Sequence, residues 1–278
     1  MKILIINLHS SRNAGDDVLL RVTLDQLYRH FPDAAITLAM NDPASYEGPE
    51  ARVESFTAWF KPTRNGQAGW QWGAILAAPL LLLGAVGSGL LGRESFFASQ
   101  RQNLLRAYRE ADFVVSCPGN FLYSSGLVGV PFLLTLFTIW YALFLGKPLY
   151  AMPQTIGPVQ RRYEAWLLGR LLVRYRLFYL RDHISAERGS LLGLEMGEAE
   201  VIPDIAFDFP RRGRAAGREF LAGIGVDVEN DGPLLGVTVI DWGAQNRLFT
   251  TQREFESAVA QAVTTFCARA TGVSSSLL

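Results

Sequence analysis

Short runs of consecutive apolar residues alternate with longer stretches of mixed polarity from the N-terminus to about residue 207. The runs read as strands at Lys2–Leu8, Ala35–Met40, Phe113–Cys117, Leu149–Met152, Leu177–Leu180 and Glu200–Ile202. Their apolar residues are continuous rather than alternating, so both faces of each strand are expected to be covered, as in a parallel sheet between two helical layers. Helices are expected over about 17–30, 98–110, 161–175 and 184–193. This is the βαβ rhythm of an α/β domain with a Rossmann-like, doubly wound parallel sheet.

Two segments exceed the apolar length of a strand. Ala74–Leu91 carries no charge but is interrupted by Pro79, Gly84, Gly87 and Gly89, and Leu127–Gly146 is equally uncharged. Length alone would allow either to cross a membrane. The second lies between two strands of one sheet, which a single crossing would separate, so it is expected to be a buried crossover helix. The first follows Trp59, Trp70 and Trp72. It is expected to be a buried insertion, with a lipid-facing flap as the alternative, since tryptophan favours membrane interfaces.

Residues 208–218 are basic and rich in glycine and proline, and read as a linker. Leu234–Ile240 reads as a fresh strand and Thr251–Arg269 as an amphipathic helix. The expected organisation is an N-terminal Rossmann-like domain over 1–207 with an apolar insertion at about 68–92. The linker follows, and then the beginning, over 219–278, of a second domain that the chain does not finish. One strand and one helix cannot enclose a core.

Composition narrows the functions. The 26 basic and 26 acidic residues cancel, which gives no reason to expect a nucleic acid as partner. Cys117 and Cys267 match no metal or redox spacing, and His9, His30 and His183 are scattered, so neither a metal nor a cofactor is expected. The N-terminal apolar run is too short for a signal peptide, which points to the cytoplasm. Of the basic residues three are lysine and the rest arginine. A guanidinium suits phosphate and carboxylate because its planar fork donates two parallel hydrogen bonds, although GC-rich codon usage explains most of the excess equally well.

Ligands of open parallel sheets bind beyond the carboxyl ends of the strands, so the turns there carry the candidate chemistry. After the first strand, Asn13, Gly15 and Asp16 form an N-x-G-D turn before a helix, whose N-terminus can receive an anion; alternatively Asp16 is a plain N-cap. After the third expected strand, Gly119 and Asn120 precede Ser124 and Ser125, either a nest for phosphate or hydroxyls or a polar loop. Pro153-Gln154-Thr155-Ile156-Gly157-Pro158 is stiffened by its prolines and is expected to project an amide and a hydroxyl. Arg181 stands at a strand end with Asp182 and Ser185 behind it as helix caps, or with Asp182 as its salt-bridge partner. Asp204, after Pro203, is placed to bind a sugar hydroxyl or to close a turn.

The ordered series N-x-G-D, G-N-F-L, P-Q-T-I-G-P, R-D-x-x-S and P-D-x-A-F resembles the polysaccharide pyruvyl transferase family over residues 1 to about 270. The chain departs from that family in having Pro118-Gly119-Asn120 where relatives often carry three glycines, and in lacking a late Arg/His segment. The resemblance implies a two-domain architecture like that of GT-B glycosyltransferases. It implies phosphoenolpyruvate as donor, a saccharide or lipid-linked oligosaccharide as acceptor, and a cyclic pyruvate ketal as product. Carried over by motif, Arg181 is the expected contact for the donor's anionic groups. A cytoplasmic enzyme with peripheral contact at the inner face of the membrane follows. The competing readings are a nucleotide-sugar-dependent GT-B glycosyltransferase and a membrane-associated fragment without activity.

Overall fold

Strand β1 (Lys2–Leu8) runs through the middle of the sheet, with Ile3, Leu4, Ile5 and Ile6 each at most 1% exposed. The computed structural model describes residues 1–64, 67–68, 71–93, 97–124, 130–194, 201–211, 213–227, 234–239 and 251–271. After β1 come helix α1 (Ala14–His30), β2 (Ala35–Met40) and β3 (Ala51–Glu54). A two-stranded hairpin, β4 (Thr63–Arg64) and β5 (Gln67–Ala68), leads to α2 (Trp72–Leu76), α3 (Ala78–Leu91) and α4 (Ser99–Glu110). The chain returns to the sheet as β6 (Phe113–Ser116) and β7 (Gly119–Leu122). Then follow α5 (Val130–Phe144), β8 (Leu149–Ile156), α6 (Arg162–Leu172), β9 (Leu177–Leu180) and α7 (His183–Leu191).

β3, β2, β1, β6 and β8 lie side by side. β7 pairs with the carboxyl half of β8, and β9 takes the other edge of β8. Every neighbouring pair in this sheet is parallel. Side chains alternate across β1 and are covered on both sides. Ile3 and Ile5 join Leu20 and Leu24 of α1, while Leu4 and Ile6 join residues of α4, α5 and α6. The doubly wound reading therefore holds.

Beneath α4 and α5, Phe56 anchors an aromatic cluster, with the rings of Trp59, Phe137, Tyr141 and Tyr108 centred 4.8, 4.9, 5.2 and 5.7 Å away. The first three pairs are edge-to-face, an arrangement that adds to the burial of each ring. The two phenols are satisfied inside the core: Tyr108 donates to the Thr138 carbonyl at 3.1 Å and Tyr141 to the Ala85 carbonyl at 3.0 Å. Burial pushes the Tyr108 phenol well above its usual range.

Several expectations need correction. The expected strand at 200–202 is reduced to a single bridge between Val201 and Leu180, and Glu200 lies outside the described residues. β8 runs on through Ile156, because β7 on one side and β9 on the other supply partners for residues read as a loop. Pro153 has no N–H to give the ladder, and the β8–β9 register shifts between Ala151 and Gln154. β3 went unread because its alternating Ala-Arg-Val-Glu carries no apolar run. α5 is the expected crossover, with Phe132, Leu136, Ile139 and Tyr141 buried, while 127–129 lie outside the described residues. The apolar segment 74–91 forms α2 and α3, but most of its leucines face outward instead of inward. No helix among the described residues is long and apolar enough to cross a membrane.

Contacts divide the chain into two compact units, Met1–Pro210 and Arg211–Leu278. In the second, Arg214–Gly223 forms α8, so most of the expected linker's later residues are helical, and Gln252–Thr271 forms α9. Residues 234–239 are exposed and are neither helix nor strand among the described residues, and Ile240, the end of the expected strand, lies outside them.

Replacing Phe56 by alanine removes the ring at the centre of the cluster. We expect a loss of about 3–5 kcal/mol in urea unfolding followed by circular dichroism.

Candidate functional site

From β1 the chain moves to β2 and β3 on one side, then returns to β6, β8 and β9 on the other. The reversal opens a crevice beyond the carboxyl ends of β1 and β6, where ligands of this architecture bind. A cavity of about 130 Å³ lies there, lined by Asn7, His9, Asn41, Ser55, Asn120 and Tyr123 among others. These residues stand at or just past the ends of β1, β2, β3 and β7.

Asn7 holds a positive φ of 63°, a left-handed conformation that asparagine tolerates better than most residues. Its Nδ2 donates to Ser116 Oγ at 2.9 Å, tying β1 to β6 at the switch point. Ser55 Oγ donates to Asn41 Oδ1 at 2.5 Å, which turns the Asn41 amide nitrogen toward His9 Nδ1, 3.2 Å away. With Nδ1 accepting, a neutral His9 carries its proton on Nε2. Of this rim only Asn120 was among the candidate site residues read from the sequence; Asn7, His9, Asn41 and Ser55 were not. The available signal was an asparagine directly after each apolar run, at Asn7 in β1 and Asn41 after β2.

At the start of α1, Asn13 is the N-cap, its Oδ1 accepting from the Asp16 N–H at 3.1 Å. Asp16 itself sits in the first turn rather than at the cap. Partial burial raises its carboxyl above the usual carboxylate range, and the nearby His9 partly offsets that rise. A side chain on Gly15 would start 3.2 Å from the Asn13 cap oxygen, so glycine keeps the cap uncrowded. Cys117, buried under this turn, has its thiol pushed up by burial and held reduced in reactivity.

A second polar group forms on the other side of β8. Arg181 Nη1 donates to Asp204 Oδ2 at 2.9 Å, and its Nε donates to Thr155 Oγ1. The guanidinium side chain is 25% exposed, and Nη2 has no hydrogen-bond partner among the described residues. Asp204 also accepts from the Ala206 N–H at 2.9 Å, capping the short turn Ile205–Asp208. Ile205 packs on Leu19 and Val22 of α1, which fixes this turn against that helix.

The remaining expected residues do other work. Asp182 caps α7, accepting from the Ser185 N–H at 2.6 Å and from its hydroxyl at 2.9 Å. Ser185 is buried and accepts from the Ile156 N–H at 3.0 Å, joining α7 to β8. The salt-bridge partner of Arg181 is thus Asp204, because Asp182 is occupied by the helix. Gln154 is buried inside the sheet instead of projecting from a loop. Its Nε2 donates to the Cys117 and Met152 carbonyls at 2.7 and 2.8 Å, bracing the gap between β6 and β7. Its Oε1 is buried without a partner among the described residues.

Gly119 and Asn120 belong to β7 and do not form an anion nest. Gly119 is buried, while Asn120 faces the cavity. Ser124 is buried and accepts from the Gln160 N–H at 2.9 Å; Ser125 lies outside the described residues. Gly157 lets Tyr123 close on the end of β8, since a Cβ there would lie 2.4 Å from the Tyr123 Cβ. No group of side chains among the described residues could hold a metal ion.

A parallel sheet with a polar crevice at its strand-order reversal is the architecture of a ligand-binding α/β protein. The family model for polysaccharide pyruvyl transferase matches residues 13–256, and the chain belongs to that family. Its acceptor is accordingly a saccharide. No curated protein and no solved structure matches the chain.

Two substitutions separate structure from site. Asp182→Ala removes a cap and should cost about 1–2 kcal/mol in thermal or urea unfolding. Asp16→Asn should act in the opposite direction near neutral pH. The folded state holds the Asp16 proton more tightly than the unfolded chain, so the wild type loses stability as pH rises through the folded value. The variant is spared that loss, and its advantage should vanish below roughly pH 4, where the unfolded carboxyl is protonated too.

Proposed function

We propose that the enzyme transfers a pyruvyl group from phosphoenolpyruvate to two hydroxyls of one sugar in a cell-surface polysaccharide or its lipid-linked precursor. The observation that carries this reading is the Arg181 guanidinium, held by Thr155 and Asp204 at the carboxyl edge with Nη2 left to a ligand. A donor bearing both a phosphate and a carboxylate needs such fixed positive groups, and the N-terminus of α1 supplies further N–H donors. Asn13, Gly15 and Asp16 shape that helix start, while Gly119, Gln154 and Gly157 set the backbone of β7 and the end of β8.

In the reaction, C3 of the donor gains a proton and C2 becomes electrophilic. One sugar oxygen bonds to C2 and gives up its hydrogen. The bond from C2 to the bridging phosphate oxygen breaks, and a second sugar oxygen bonds to C2 and gives up its hydrogen, which leaves with the inorganic phosphate as the ketal closes. His9, oriented by Asn41 and next to Asp16, is the group we assign to moving these protons. Asn7, Asn41, Asn120 and Ser55 offer the donors and acceptors that sugar hydroxyls require. Arg181 and the helix N-terminus stabilise the charge that gathers on the departing phosphate. We place the enzyme in the cytoplasm, against the inner face of the membrane where lipid-linked saccharides are presented.

Incubation of the full chain with phosphoenolpyruvate and a saccharide acceptor should release phosphate only when both are present. Release of UDP from a UDP-sugar instead would replace this reading by sugar transfer. Arg181→Ala should raise the apparent KM for phosphoenolpyruvate at least tenfold, about 1.4 kcal/mol, with an unchanged unfolding midpoint. An unaltered KM would remove Arg181 from the donor site.

A further inference from the structure

Helix α3 carries no charged residue and only one polar side chain, Ser88. A helix apolar on all sides is normally enclosed. Here one stripe alone is covered: Ala85 and Ser88 are buried, and Tyr141 Oη holds the Ala85 carbonyl. The opposite stripe repeats at intervals of three and four residues through Leu80, Leu83, Gly87 and Leu90, with Leu91 beside it. The leucines are 76, 66, 73 and 66% exposed in that order, and Leu76 of α2 continues the line at 84%.

The apolar surface extends past the helix. A Cβ on Gly89 would lie 2.9 Å from Phe144, whose ring stacks on Trp140 with centroids 5.0 Å apart. Both rings line a groove of about 470 Å³ between α5 and α6, which ends at Trp166, Arg170 and Arg174. Trp166 is 60% exposed, with the Arg170 guanidinium 5.5 Å above its ring. Every charge in the chain from Lys61 to Arg93 is positive, and so is every charge from Ala165 to Arg181.

The geometry points to an anionic bilayer surface as the occupant of this face, with α3 lying in the plane of the interface. Fourteen helical residues reach about 21 Å, short of the roughly 30 Å hydrocarbon core, so α3 rests on the membrane and does not cross it. The leucine stripe enters the acyl boundary, the tryptophans take the interfacial level, and the arginines meet lipid phosphates. A second copy of the chain fits less well. A two-fold interface would bring the positive rim against itself, and like charges brought together across an interface cost several kcal/mol. The inference uses only α2, α3, α5 and α6, so it stands or falls separately from the donor chemistry.

The test is flotation of the full chain, without substrates, on vesicles of phosphatidylcholine alone or mixed with phosphatidylglycerol. The wild type should float with the mixed vesicles, less so as salt is raised. The variant with Leu80→Ser, Leu83→Ser and Leu90→Ser should lose roughly ten- to a hundredfold in partitioning, its leucines being exposed and dispensable for folding. Leu83→Ser alone should show a smaller loss in the same direction. Arg170→Gln with Arg174→Gln should abolish the preference for phosphatidylglycerol. A wild type that stays at the bottom with both vesicles overturns the proposal, as does a triple-serine variant that floats unchanged. A wild-type dimer in sedimentation velocity that the serine substitutions dissociate, with no flotation, would assign the face to self-association.

Discussion

The reversal of strand order beside β1 is the constraint from which the rest follows. Parallel strands need a crossover for each return, and crossovers on opposite faces run in opposite directions along the sheet. Where they diverge, between β1 and β6, no connection closes the carboxyl edge. The polar residues ending β1, β2, β3 and β7 are thereby gathered around one opening without any need for nearness in sequence. Asn7 shows the local cost of this arrangement. Its left-handed backbone is held by the bond to Ser116, the side chain that ends the neighbouring strand.

The sheet core was legible from the sequence because it depends on apolar continuity, which is a local property. β1, β2 and β9 have the bounds that their apolar runs suggest. What failed was pairing. Pro153 to Ile156 looks like a stiff loop in isolation, yet it lies between two strands and is pulled into the sheet by their free ladder groups. Leu234 to Val239 looks like a strand in isolation and pairs with no strand among the described residues. The same local view explains the outcome at the site. The N-x-G-D and R-D-x-x-S turns were located correctly as helix starts, but which residue caps and which remains for a ligand depends on neighbours. Asn13 and Asp182 cap, leaving Asp16 beside His9 and Arg181 beside Asp204.

The apolar insertion marks a different kind of limit. Composition says that Ala78 to Leu91 avoids water, and it does not say which medium replaces it. In this protein the core accepts one stripe of the helix through Ala85 and Ser88, and the aromatic cluster around Phe56 fills the space behind. A sheet with three helices already packed on that face has no room for the remaining leucines. Their exposure next to Trp140, Trp166 and an all-positive rim is what turns an ambiguous sequence feature into a surface with a direction.

The central claim is that the carboxyl edge binds a small anion between the start of α1 and Arg181. Titrating phosphoenolpyruvate into the isotopically labelled full chain, with backbone amide shifts followed by NMR, addresses it most directly. The account predicts that amides of Ala14 to Asp17 and of Arg181 shift together along a single saturation curve. Shifts confined to the arginines of α6, or absent from both places at saturating donor, would contradict it.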